Sequence, residues 1–140
     1  RLEPAMSVRA RATMVKEPSI GEGVSYGFTY RVPKSVQIAT FPLGYADGMP
    51  RALSNDTQVL FDGRRCQQVD QFMIEVVSNP SALKPTHPIT HGDVITVVGR
   101  DGDDEITLDD MAKRLGTINY ELACRFGLRM DRVYTRSSAS

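Results

Sequence analysis

The sequence is poor in residues that staple, ligate metals or build up charge of one sign. It has no tryptophan, two cysteines and two histidines in 140 residues. Cys66 and Cys124 are too few for a disulfide framework, and free thiols predict a reducing compartment such as the cytoplasm. There are 17 basic and 17 acidic residues. That balance argues against a nucleic-acid binder and against attraction to an anionic membrane. No apolar run approaches the roughly 20 residues that cross a bilayer, and no signal-peptide pattern is present. A glycine-rich phosphate loop and a nucleophile elbow are both missing. His87 and His91 have the spacing of a helical metal pair, but Pro85, Pro88 and Gly92 exclude a helix there, so no metal site is expected. Asp101-Gly102-Asp103-Asp104-Glu105 resembles a calcium loop only in composition. Its glycine is second, where an EF-hand needs it sixth, so it reads as a hairpin turn.

What is present suits one globular domain with its own core. Hydrophobic residues make up 41% and charged residues 24%, and a chain of this size buries roughly two-thirds of its unfolded surface. Arg1 to Ala5 reads as a linker and Ser137-Ser138-Ala139-Ser140 as a flexible tail. The expectation is a domain over 1–136, a tail over 137–140, and a longer parent protein.

Short strands dominate. Val8, Ala10, Ala12 and Met14 alternate with polar neighbours, predicting one half-buried strand. Tyr26, Phe28, Tyr30 and Val32 predict a second over 25–32, with Gly27 marking a weak point. Residues 36–41 form a buried apolar run, and 42–50 a loop of turn formers. Val59-Leu60-Phe61 runs into the hairpin signal Asp62-Gly63. Strands are also predicted over 72–77 and 94–98, a long loop over 78–91, and a last strand at Val133-Tyr134. Thr107, with Asp110 three residues on, predicts a capped helix presenting Leu108, Met111 and Leu115 and stopped by Gly116. Thr117 predicts the cap of a second helix over about 118–126. The fold class is mainly β: a small Greek-key-like barrel or sandwich with two short helices near the C-terminus.

Three tyrosines sit where other groups could approach them. Tyr26 precedes Gly27, Tyr45 follows Gly44, and Tyr120 opens the second helix. Taken singly, each reads as a packing residue with a wet hydroxyl, as most tyrosines are.

Five blocks of sequence alter that balance. Gly23-Val24-Ser25-Tyr26-Gly27 resembles the segment that carries the catalytic tyrosine of alanine racemases. Pro42-Leu43-Gly44-Tyr45-Ala46-Asp47-Gly48, followed by Pro50-Arg51, resembles their substrate-access loop. Asp70-Gln71-Phe72-Met73 is similar to their Met-Asp-Gln segment. The stretches 106–112 and 116–121 resemble their C-terminal helices. The blocks keep family order and nearly family spacing across almost the whole chain.

The resemblance implies a two-domain enzyme interconverting L- and D-alanine, with D-alanine going to peptidoglycan. An N-terminal (β/α)8 barrel holds pyridoxal phosphate on a lysine, and the C-terminal domain is mainly β. A head-to-tail homodimer gives each active site a tyrosine from the other subunit. Tyr26 is then the catalytic tyrosine and Tyr120 the hydrogen-bond partner of the cofactor phosphate. Tyr45 narrows substrate access, Arg51 lines the corridor, and the Val69 N–H helps hold the substrate carboxylate. The segment between Gly63 and Asp70 is several residues shorter than the family's and lacks a second Gly-Arg, which predicts local reshaping around Val69. Lys16, Lys34, Lys84 and Lys113 lie in no cofactor-lysine context. The isolated chain is therefore expected to bind no cofactor and to be inactive. The other reading is a stand-alone β domain that docks on a barrel partner or regulates it without catalysis. On the first reading, the face carrying Tyr26 and Tyr45 needs a covering barrel.

Overall fold

A computed structural model describes residues 3–24, 27–70, 87–136 and the backbone of 73–77. Ten strands and two helices follow the chain: β1 (Val8–Arg11), β2 (Met14–Lys16), β3 (Gly23–Val24), β4 (Tyr30–Arg31), β5 (Val36–Thr40), β6 (Gln58–Phe61), β7 (Arg64–Val69), β8 (Met73–Val77), β9 (Val94–Asp101), β10 (Asp104–Ile106), α1 (Leu108–Leu115) and α2 (Asn119–Arg125). Two single 3₁₀ turns, Tyr45–Asp47 and Arg51–Leu53, lie between β5 and β6.

The main sheet is antiparallel, in the order β1-β9-β6-β7-β8-β5-β2, with β10 added to β9. Its end strands β1 and β2 are consecutive in sequence, separated only by Ala12 and Thr13. Arg11 and Met14 can therefore be no more than about 11 Å apart. Seven strands laid flat would separate the ends by about 29 Å. The sheet must curl until its edges meet at that link. No ladder between β1 and β2 closes it. The expectation of a mainly β fold with two late helices is met, while the barrel or sandwich is seen only as an open, curled sheet.

The link also corrects the expected single strand over 8–14. The alternation breaks at buried Ala12, whose N–H donates to the Asp93 carbonyl, while the Thr13 N–H donates to that of Thr40. Of the expected strand over 25–32, the described residues keep Tyr30–Arg31 as β4, which pairs with β3 just before that span. Phe28 leaves the apolar side: its φ is +49°, its side chain is exposed, and its ring lies over Gly23. Tyr26 falls between these strands, outside the described residues, as do most of the expected long loop and the tail over 137–140. Val133 and Tyr134 form no strand and are exposed.

Local rules hold at the turns. Asp62 (φ +52°) and Gly63 (φ +70°) make the two-residue hairpin between β6 and β7 in the doubly left-handed form that Asp-Gly favours. Gly102 turns β9 into β10 at φ +60°. Thr107 caps α1, accepting from the Asp110 N–H, and the Asp110 carboxylate accepts the Thr107 N–H in return. Thr117 does not cap α2. Ile118 holds that position without a side-chain bond, because the Thr117 hydroxyl is turned to Glu121.

Two apolar clusters result. The larger joins Leu60, Val97 and Phe41 to Met111, Leu122 and Phe126, so both helices seal it. The smaller holds Val24, Val32, Val36, Ile38 and Val69, with Tyr30 against it.

Candidate functional site

The access-loop motif leaves β5 through buried Phe41 and Leu43. These anchor a tight turn with Tyr45 at its head. The Asp47 N–H donates to the Gly44 carbonyl at 3.0 Å, and the Gly44 N–H donates to Asp47 Oδ2 at 3.0 Å. Gly48 closes the turn at φ +114°, and the Met49 N–H returns to the Gly44 carbonyl. Tyr45 is 64% exposed, while Asp47, two residues on, is 7% exposed. Arg51 opens the next turn and is exposed, held in place by buried Leu53.

Tyr120 sits in the first turn of α2 and is 76% exposed. That helix is fixed from below by Leu122 and Phe126, four residues apart on one face. On its outer side the Thr117 hydroxyl and the Arg125 guanidinium both donate to Glu121. The Thr117 bond, then the Arg125 bond, hold the Glu121 carboxyl below its ordinary range. The Asn119 amide donates to Asp109 at 2.7 Å and ties the start of α2 to α1.

Val69 ends β7 with its side chain 1% exposed. It shares the smaller cluster with Val24, two residues before Tyr26. The structure thus brings Val24 to Val69, while Tyr45, Arg51 and Tyr120 are exposed on segments whose Leu43, Leu53 and Leu122 belong to the larger cluster. The Gln68 N–H donates to Thr57 on the β6 side. Strand alternation then turns the Val69 N–H to the other edge, toward β8, where Val69 faces Met73. The shortened segment is absorbed as one uninterrupted strand, paired on both sides. A role for this N–H toward a carboxylate competes with that ladder.

Among the described residues no cluster of three or more His, Cys, Asp or Glu side chains could hold a metal ion. None of the described helices is long and apolar enough to cross a membrane. Of the lysines, Lys16 pairs with Glu22 across 3.8 Å, and Lys34 and Lys113 are exposed. The phenol of Tyr120 faces outward, where a group from outside the domain can reach it. Sequence reading quoted Asp47 only as part of its motif, and the structure shows its carboxylate holding the turn through the Gly44 N–H. Its signal was an acid three residues after Gly44 and directly before Gly48, the pattern of a capped turn.

Curled sheet, sealing helices and outward phenols define a mainly β domain that carries its candidate chemistry on its surface. Comparison with known proteins makes this specific. A family model for the alanine racemase C-terminal domain matches residues 5–134. An alanine racemase of Symbiobacterium thermophilum is 42% identical over 144 residues, covering 99% of this chain and 36% of that protein. The crystal structure of alanine racemase from Bacillus anthracis with bound L-Ala-P superimposes with a TM-score of 0.82 at 35% identity, over 99% of this chain and 35% of that one. A histidine racemase from Leuconostoc mesenteroides superimposes at 0.78 with 30% identity, over 96% of this chain and 35% of that one. The chain belongs to the family of alanine racemase C-terminal domains, and it spans about a third of the length of the relatives it matches.

Proposed function

We propose that this chain is the C-terminal domain of a pyridoxal-phosphate-dependent alanine racemase and lends Tyr26 to the active site on a second subunit's barrel. The observation that carries the reading is the family match over residues 5–134, at about 40% identity to proteins named alanine racemase. Pyridoxal phosphate, held on a lysine of the barrel, supplies the electron sink that makes the alanine Cα proton acidic. Tyr26 takes or returns that proton on the face opposite the lysine. A free phenol ionises near pH 10, so groups on the barrel must assist it at neutral pH. Tyr120 donates to the cofactor phosphate. Tyr45 and Arg51 border the path of the substrate. Val69 lies beside the Tyr26 segment, and its N–H serves the carboxylate once the end of the β7–β8 ladder yields. The enzyme works in the cytoplasm and supplies D-alanine for peptidoglycan. The same domain shape in a histidine racemase supports the reading that side-chain selectivity depends partly on the barrel.

The test is alanine racemisation by the full-length protein and its Tyr26→Phe variant. Loss of a positioned proton carrier should lower kcat by about 10²–10⁴-fold, with the cofactor absorbance retained. The 140-residue chain supplied with pyridoxal phosphate should show no turnover. Full activity in Tyr26→Phe would refute the assignment of Tyr26, and turnover by the isolated chain would refute the need for a barrel.

A further inference from the structure

We propose that Asp47 is a positioning residue for substrate access: it clamps the turn bearing Tyr45 onto the C-terminal end of α2, the helix that bears Tyr120, so that both phenols move as one unit. The inference rests on the roles given above to Tyr45 and Tyr120.

Four contacts made by Asp47 and Gly48 converge on this junction. Asp47 Oδ2 accepts the Gly44 N–H at 3.0 Å and closes the turn from within. Asp47 Oδ1 lies 3.5 Å from Arg129 Nε, just beyond α2. The Asp47 carbonyl accepts the Gly127 N–H at 3.4 Å. Gly48 is pressed so closely on the helix end that a Cβ there would lie 2.5 Å from the Arg125 carbonyl oxygen and 2.8 Å from the Phe126 nitrogen. The main-chain bond and the close approach join the two backbones, and the carboxylate adds a charged pair.

Physical necessity points the same way. A single 3₁₀ turn of three residues is not stable by itself, so the direction of Tyr45 depends on what holds the turn. A nearly buried carboxylate is tolerated only when hydrogen-bonded and paired. Asp47 satisfies both conditions with groups from opposite sides of the junction, Gly44 within the loop and Arg129 beyond the helix. Removing it strands the Gly44 N–H and releases Arg129, while the sheet keeps its own ladders. The loop then loses its fixed relation to α2. Since neither Tyr45 nor Tyr120 carries the substrate proton, the effect should fall on how substrate is admitted and held.

The experiment compares Asp47→Ala, Asp47→Asn and Arg129→Gln in the full-length protein, read by alanine kinetics and by amide hydrogen exchange. Asp47→Ala should raise KM for alanine by about tenfold and keep kcat within about twofold. Asp47→Asn keeps an oxygen for the Gly44 N–H and should recover part of that loss. Amide exchange should quicken at Gly44 to Met49 and at Gly127 together, with the sheet unchanged. An unchanged KM in Asp47→Ala, a kcat loss at constant KM, or faster exchange across the whole sheet would each overturn the proposal. If the wild-type protein racemises nothing, the functional reading fails instead, and the exchange pattern still decides whether Asp47 ties loop to helix.

Discussion

At the scale of single residues, backbone conformation and the lack of a side chain do most of the shaping. Gly48 combines φ +114° with direct apposition to the backbone of Arg125 and Phe126. An alanine there meets strain and overlap together. Gly48→Ala should cost about 2–4 kcal/mol of folding stability, read by urea denaturation. A loss below about 0.5 kcal/mol, the range of ordinary surface substitutions, would show that the loop does not rest on the helix as described. Gly23 differs. Its would-be Cβ meets side-chain atoms of exposed Phe28, the ring at 2.3 Å and Cβ at 2.9 Å, rather than the backbone of another element.

At the scale of elements, polar ties fix how the short pieces meet. Arg65 on β7 makes a two-pronged bond to Asp104 on β10, at 2.7 and 2.8 Å, and a third to the Glu105 carbonyl. The Arg65 bond holds the Asp104 carboxyl below its ordinary range, and the Thr107 hydroxyl, then the Thr107 N–H, does the same for Asp110. A depressed folded-state value means that the stabilisation is complete above the unfolded value near 3.9 and is lost as pH falls through the folded value. The melting midpoint should therefore hold from pH 7 to about 5 and drop below about pH 4, with each exposed pair worth under about 1 kcal/mol after solvent screening. The Asp104→Asn, Asp110→Asn double variant should lose less between pH 5 and 3 than the wild type. Equal losses would assign the acid sensitivity to other groups. At neutral pH Thr107→Ala should cost about 1 kcal/mol, the usual worth of a helix cap.

At the scale of the whole molecule, several large apolar side chains are left exposed. Ile118, Tyr120, Leu128, Val133 and Tyr134 follow one another along the last part of the chain, and Tyr45 heads the turn after β5. Apolar surface of this kind favours association. The isolated chain should show a light-scattering mass that rises with concentration, and Ile118→Ser with Leu128→Ser should suppress the rise. A strict monomer at all concentrations would count against a face built to be covered.

Much of this was legible in the linear chain, because it depends on neighbours a few residues apart. The Asp62-Gly63 hairpin, the Thr107 cap and the Gly116 stop follow from backbone angles and short-range hydrogen bonds. The family blocks likewise pointed to the family that the comparison over residues 5–134 shows. What alternation could not show was the break at Ala12, where the same apolar pattern serves two edges of one curled sheet. Nor could it show that the Thr117 hydroxyl prefers Glu121 to capping α2. Local sterics and alternation already carried the mainly β class and the turns, and the resemblance of the five blocks carried the family. Long-range packing settled that the sheet bends back on its own first strands, that Val69 shares a cluster with Val24, and that Asp47 joins a loop to a helix end some eighty residues away along the chain (Asp47 to Gly127). Those choices depend on which distant surfaces exclude water together, and no local pattern encodes that.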